Sequence, residues 1–366
     1  MSKTQGAGLA LREAQVVEIE SMDEETARVK VQVPPRNEPE SAIAYRVFTP
    51  TIKVGDRVLV NTTAVELGLG TGGVHFVLAS FGSETRAQGI GHIMKLRYTP
   101  LQLKVLALEE EASPHHTLLA DMPDLSGLPV AAGSLHSMAP IVAAGIKAVQ
   151  PDARIVYVMT DGACLPCAFS RLVGQMKASR LIDGVITAGH AFGGDLEAIT
   201  PASAIAAARL VLKADAVIVA MGPGVVGTGT ALGTTALEVG PLLDAVGALK
   251  GTPIAIPRLS GKDPRERHRG ISHHTMTALV HFTHVAAIVP LPHGTPWHAL
   301  LARQASELER SGKRVVWDDG VSFYQLAKGV LERSGIKVTT MGRDDLEDPL
   351  FFFGAAAAAK AVAGRM

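Results

Sequence analysis

The alternation of apolar and polar positions changes character about a quarter of the way along the chain. In Ala27–Val33 apolar residues alternate with Arg28, Lys30 and Gln32, the period-two signature of a half-buried strand, and Pro34-Pro35 ends it. Ala42–Phe48, Val54–Asn61 and Val74–Ala79 predict three further strands, the second of these opening on the turn Gly55-Asp56. Short strands at close spacing predict a small β-rich domain over residues 1–97, an SH3-like or OB-like barrel. The glycine run Gly68–Gly73 reads as a hairpin connection before it reads as a binding loop.

Over residues 98–366 the pattern becomes strand, then helix, repeated. Apolar runs fall near 103–108, 129–132, 154–159, 184–188, 215–221, 253–256, 285–290, 314–317 and 336–340. Between them Ala168–Ser179, Ala202–Leu212, Trp297–Ser311 and Tyr324–Ser334 carry helical patterns. Such alternation predicts an α/β domain with a mainly parallel sheet flanked by helices. A doubly wound open sheet is favoured over a closed barrel because helix and loop lengths vary. Both architectures put ligands at the C-terminal ends of strands. The run Phe351–Ala359 predicts a well-packed terminal helix at a subunit contact, hence a homo-oligomer.

Composition narrows the classes. Of 366 residues 47% are hydrophobic and 19% charged, and 35 basic side chains balance 35 acidic ones. That balance disfavours a nucleic-acid partner. With aromatics at 4%, aliphatic side chains must build the core. No uninterrupted apolar run reaches the roughly 20 residues of a membrane span. The first residues, Met1–Gly6, lack the apolar core of a secretory signal, so the cytoplasm is expected and no membrane partner. Two cysteines make no disulfide framework.

Six polar, glycine-bearing loops follow the predicted strands, at 133–137, 160–164, 189–195, 222–235, 258–270 and 292–295. In a parallel sheet they converge on one edge. The strand Ala216–Met221 empties into the richest of them, where Gly222, Gly224, Gly227, Thr228, Gly229 and Thr230 offer backbone and hydroxyl donors to an anion. It lacks the Gly-Lys-Ser/Thr of a phosphate-binding loop and the dinucleotide glycine spacing, so no cofactor is identified. Arg265, Arg267 and His268 form the cationic member; arginine forks bind carboxylate and phosphate, though pairing with Asp263 and Glu266 would make the same segment a solvated turn. Ser272 is placed to cap a helix starting at His273-His274. Asp161, His190 and Asp195 are the candidate acid/base groups. A metal site from His190, Asp195, His273 or His274 is chemically possible, but no zinc-type spacing occurs and none is assigned; adjacent histidines such as His273-His274 are expected to point to different faces. Cys164-Leu165-Pro166-Cys167, between a strand and a helix, allows a thiol redox pair.

Gly91–Pro100, Tyr157–Gly162, Gly193–Ala198, Met221–Thr230 and Asp263–Gly270 together resemble a bacterial family known as domain of unknown function 3866. The likeness covers most of the chain and implies no activity. Its pattern carries aliphatic or small residues where Cys164 and Cys167 stand, which weighs against redox chemistry. The expectation is a cytosolic enzyme acting on a small phosphate- or carboxylate-bearing metabolite at the C-terminal edge of the sheet. The alternatives are a non-catalytic small-molecule sensor or assembly protein, and a thiol redox protein.

Overall fold

The computed structural model describes residues 8–70, 72–87 and 89–366. Two compact units result: one runs to Gly89 and includes Thr99–Leu101, the other holds Ile90–Tyr98 and Gln102–Met366. In the first, β1 (Leu11–Met22), β2 (Thr26–Gln32), β3 (Glu40–Tyr45), β4 (Arg57–Asn61) and β5 (His75–Ser80) close a barrel in the order β1-β2-β3-β5-β4, with α1 (Thr63–Glu66) before β5. The expected barrel is therefore present with one more strand than the pattern predicts. β1 was not legible because only Ala14 and Val16 of its twelve residues are buried. It pairs with β4 through Leu11–Gln15 and with β2 through Gln15–Met22, and that double pairing closes the barrel around Val16, Val29, Val31, Val58 and Val60. Of the Gly68–Gly73 run, Thr71 lies outside the described residues.

The second unit opens with a hairpin of β6 (Ile93–Lys95) and β7 (Leu103–Val105), followed by α2 (His116–Leu119). Then come β8 (Pro129–Gly133), α3 (Met138–Val149), β9 (Ile155–Thr160), α4 (Arg171–Ala178), β10 (Gly184–Ala188), β11 (Leu196–Ala198), α5 (Pro201–Leu210) and β12 (Ala216–Met221). The chain continues through α6 (Val239–Ala248), β13 (Thr252–Ile256), β14 (Leu259–Ser260), β15 (Gly270–Ile271), α7 (His273–His281), β16 (Ile288–Pro292), α8 (His298–Arg310), β17 (Arg314–Asp318), α9 (Gly320–Arg333) and α10 (Pro349–Ala363). Eight strands form one open parallel sheet in the order β11-β10-β9-β12-β8-β13-β16-β17. β9 and β12 are buried along their whole length, as strands covered on both faces must be, which is why they read as unbroken apolar runs.

Three strand expectations need correcting. The run at 285–290 enters the sheet only from Ile288. Residues 336–340 form no strand; Ile336 and Val338 bury side chains in the core without pairing. The edge strand β11 escaped notice because three residues centred on Glu197 carry no period.

Each sheet face has its own core. On one, α3, α4, α9 and α10 pack Ile141, Met176, Phe323 and Phe352; on the other, α5 to α8 pack Ile205, Leu243, Leu279 and Leu301. β8 feeds α3 on the first face, β12 feeds α6 on the second, and the two strands are neighbours. The direction of winding reverses between them, and the crevice outside their carboxyl ends is where such sheets take ligands. α10 lies inside this fold, with Ala355–Ala359 at most 1% exposed against α3 and α9. Its apolar run is consumed by the chain's own core, so it gives the homo-oligomer expectation no support.

The α3–α10 contact is tight enough to test. A Cβ built on Gly145 would stand 2.6 Å from the Cβ of Ala359. Gly145→Val is expected to lower stability by about 1–3 kcal/mol through overpacking, read from urea unfolding. An unchanged midpoint would show that the two helices separate freely.

Candidate functional site

The loop leaving β13 is built around two buried carboxylates. β14 and β15 pair antiparallel, Leu259 with Ile271 and Ser260 with Gly270, so the nine residues between them form a closed excursion. Asp348 accepts the Ser260 hydroxyl at 2.5 Å and the Gly261 N–H at 2.8 Å at the base of that excursion. Asp263, fully buried, takes the Arg265 fork at 2.9 and 3.0 Å and faces Arg258 at 3.5 Å and Arg343 at 3.7 Å. Burial alone would push the Asp263 carboxyl up; the Arg265 hydrogen bonds and charge hold it well below the usual range instead. Arg265, expected to bind ligand, is thus an internal partner of Asp263. Arg267 is exposed and makes no hydrogen bond or ion pair among the described residues.

His268 follows on the 3-10 turn Glu266–His268, and His273 and His274 open α7. The three rings converge, with centroids 4.9 Å (His268–His273), 5.2 Å (His268–His274) and 4.0 Å (His273–His274) apart. Adjacent histidines were expected to diverge. They do not, because in the first turn of α7 both rings fold back over the 266–268 turn. Ser272 holds the N-cap position as expected, but its hydroxyl makes no cap bond; it meets Nδ1 of His268 at 2.8 Å. Burial lowers all three imidazoles, His268 to about 3 and His273 to about 4, with Arg258, Arg265 and Arg267 adding repulsion. The trio is neutral near pH 7.

The glycine-threonine loop after β12 covers these rings. Gly227 lies so close to Cε1 of His274 that a Cβ there would collide with it, and Nε2 of His274 donates to the Thr228 carbonyl at 3.2 Å. Within the loop Thr228 N–H bonds Gly233 O at 2.8 Å, Thr230 N–H bonds the Thr228 hydroxyl, Gly233 N–H bonds the Thr230 hydroxyl and Val226 N–H bonds Thr235. The two threonine hydroxyls also meet each other at 2.9 Å. Thr228 and Thr230 therefore brace a self-satisfied turn. Gly222, Gly224 and Gly229 shape its path, and the loop forms a wall over His274.

The expected acid/base residues separate. Asp161 and His190 meet, but through the backbone: Asp161 Oδ2 accepts the His190 N–H at 2.8 Å, an approach that only a glycine at 189 permits. The His190 ring accepts the Leu96 N–H on Nδ1 at 3.0 Å, and Nε2 lies 3.3 Å from the Arg97 guanidinium. Both neighbours can only donate, so in either tautomer one nitrogen accepts and the other carries the proton, and neither is free to act as a base. Asp195 lies at the other edge of the sheet, accepting the N–H of Val185 at the start of β10 and pairing with Lys177 at 2.5 Å. Parallel pairing explains the split: residues 189–195 run back from the carboxyl end of β10 to the amino end of β11.

Glu238 is the acid/base group the sequence did not single out. It ends the 3-10 helix Thr235–Glu238, which packs on α7, and accepts the Thr160 hydroxyl at 2.7 Å. Burial, with some help from Asp161, raises its carboxyl from 4.5 to about 7 against that hydrogen bond. Thr234, one turn earlier, sits 3.4 Å from Nδ1 of His274. No motif marks Glu238; only the fold brings it beside Thr160.

Beneath the same edge His136 is locked away. Its Nε2 meets the Ser170 hydroxyl at 2.6 Å, and its Nδ1 lies 2.9 Å from Tyr157 OH and 3.3 Å from Met221 O. Burial lowers it to about 4. Ser170 also caps α4 through Val173 N–H, so this trio reads as a neutral clamp joining β8, β9 and β12 to α4. Cys164 and Cys167 form no disulfide, and burial pushes Cys164 up to about 12, away from the thiolate that redox exchange uses.

One cavity, of about 530 Å³, opens at the amino-terminal edge of the sheet beside Arg209, Asp215 and Arg365. Each makes a hydrogen bond to the backbone, through Ala214 O, the Arg154 N–H and Ala361 O respectively. Another, about 290 Å³, lies under α9 near Tyr324 and Asp345. Neither brings unsatisfied polar groups together as the carboxyl edge does.

Glu238 makes stability depend on pH. Its folded value lies above its unfolded one, so the contribution is complete below pH 4.5 and disappears as pH rises through about 7. Glu238→Gln should remove that slope, a difference approaching about 3 kcal/mol above neutrality at about 1.4 kcal/mol per unit. Melting temperatures from pH 4.5 to 8 in both proteins check it, and parallel curves would refute the buried-acid assignment.

No helix among the described residues is long and apolar enough to cross a membrane. No curated protein matches the chain. No solved structure matches it either. The profile of a family described as "protein of unknown function (DUF3866)" matches residues 41–359, spanning the end of the barrel, the whole parallel sheet and the loops at its carboxyl edge. The chain belongs to that family.

Proposed function

We propose that the protein is an enzyme that binds a small oxyanion, a phosphate- or carboxylate-bearing metabolite, at the carboxyl ends of β12 and β13. The observation that carries this reading is Arg267: a guanidinium without a carboxylate partner among the described residues, beside a buried cluster of neutral imidazoles. The neighbouring Arg258, Arg265 and Arg343 share two carboxylates, Asp263 and Asp348, so net positive charge remains at this edge and Arg267 carries the part that no carboxylate meets. A guanidinium fork suits the paired oxygens of carboxylate or phosphate. Glu238 supports catalysis, because a carboxyl that titrates near neutrality can both give and take a proton at working pH. In this reading burial, helped by Asp161, raises Glu238 to about 7, and the glycine-threonine loop forms one wall of the site.

Calorimetric titration with inorganic phosphate and with citrate tests the binding half. At least one should bind, and Arg267→Ala should weaken it tenfold or more, equivalent to about 1.4 kcal/mol. Failure of both anions to bind would sink the proposal. Mass-spectrometric comparison of a small-metabolite extract before and after incubation tests the catalytic half. A compound consumed by the wild type and spared by Glu238→Gln marks an enzyme; retention without conversion marks a sensor.

A further inference from the structure

We propose that His268, His273 and His274 form a binding site for a divalent transition-metal ion, zinc being the ion their chemistry suits best. One ring nitrogen from each lies within 4.8 Å of the other two. Three neutral imidazoles with an open fourth position are an established ligand set for zinc, with bond lengths of roughly 2.0–2.1 Å. Tetrahedral ligation at that length needs nitrogens roughly 3.4 Å apart, a contraction that small ring rotations supply.

The hydrogen bonds around the trio leave lone pairs unclaimed. Nε2 of His274 donates to the Thr228 carbonyl, so its Nδ1 carries no proton. The one hydroxyl near that nitrogen, Thr234, gives its proton to the Val226 carbonyl at 2.9 Å. His268 meets the Ser272 hydroxyl through Nδ1 at 2.8 Å; in the ligating tautomer Nδ1–H donates to that hydroxyl and Nε2 keeps its lone pair. His273 is the decisive member: its Nε2 is buried and has no partner among the described residues. Buried polar atoms are nearly always paired, and a carbonyl or hydroxyl fixing the far nitrogen is the usual outer shell of a metal-ligating histidine. A plain ring stack would satisfy packing but would leave that nitrogen unpaired and the lone pairs crowded together.

Charge says what completes the shell. Three neutral ligands leave the ion its full double charge, with Arg267 close by and no carboxylate in the set. Water, hydroxide or an oxyanion ligand can take the open position, and the positive surroundings favour the anions. The site goes beyond the anion reading above, since the ion binds whether or not a metabolite follows.

Zinc added alone to chelator-stripped full-length protein should bind at one equivalent by calorimetry. Cobalt in its place should give the intense visible bands of a four-coordinate ion. His273→Ala should weaken zinc at least tenfold and abolish the bands. Because its ring makes no hydrogen bond at Nε2, that variant should fold, as circular dichroism would check; His268→Gln provides an independent second variant. Absent zinc binding by the wild type, or equal binding by both variants, overturns the site. Phosphate or citrate binding by the stripped protein is read separately, so loss of one proposal does not carry the other with it.

Discussion

Asp263 is the group on which the carboxyl edge depends. A fully buried carboxylate is costly unless it is paired, and this one is met by Arg265 and Arg258, with Arg343 close behind. Those contacts draw together the exit of β13, the excursion to β15 and the segment before α10. Asp348 fixes Ser260 and Gly261 at the base of the loop, and His268 is delivered against the start of α7. Breaking such a pair would leave guanidinium groups buried beside three imidazoles. Removal of Asp263 would therefore reach well beyond its own contacts.

The sheet supplies the other half of the constraint. Reversal of winding between β8 and β12 sends their connections to opposite faces and leaves an open crevice above their ends. His136, bonded to Ser170 and lying against the carbonyl of Met221, holds the floor of that crevice, and the turn of residues 226–235 leans over its β13 side. Thr234 links the two loops, touching His274 while leading into the helix that carries Glu238. The proton-handling group and the histidine cluster are thus joined by a single short helical turn.

Much of the fold was legible from periodicity. Strands buried on both faces, such as Val217–Ala220, announce themselves as continuous aliphatic runs, and helices with one buried stripe keep their spacing. Elements without a buried period, β1 and β11, were lost for that reason. The site was only partly legible. The loops could be placed at one edge, because parallel pairing fixes that, but their internal bonds could not be read. Arg265 and Arg267 look alike in sequence, and only the position of Asp263 makes one structural and leaves the other free. Asp195 and His190 are five residues apart yet lie at opposite ends of a strand. Glu238 has nothing in its neighbourhood of sequence to distinguish it; its character comes from burial beside Thr160 and Asp161.

These observations bear on why the trio carries no carboxylate. A dication held by carboxylates would be largely neutralised in place, and Arg267 would then serve little purpose beside it. Neutral imidazoles keep the field of an ion undiminished, and the arginines that make protonation of those rings unfavourable would repel a dication too unless an anion sits beside it. The same positive surroundings that repel a proton favour an incoming oxyanion. Burial of the rings, pairing of Asp263 with Arg265, and exposure of Arg267 therefore act in one direction. They hold net positive charge at the rim of a neutral, ligand-rich floor, an arrangement that a purely structural loop has no physical reason to maintain.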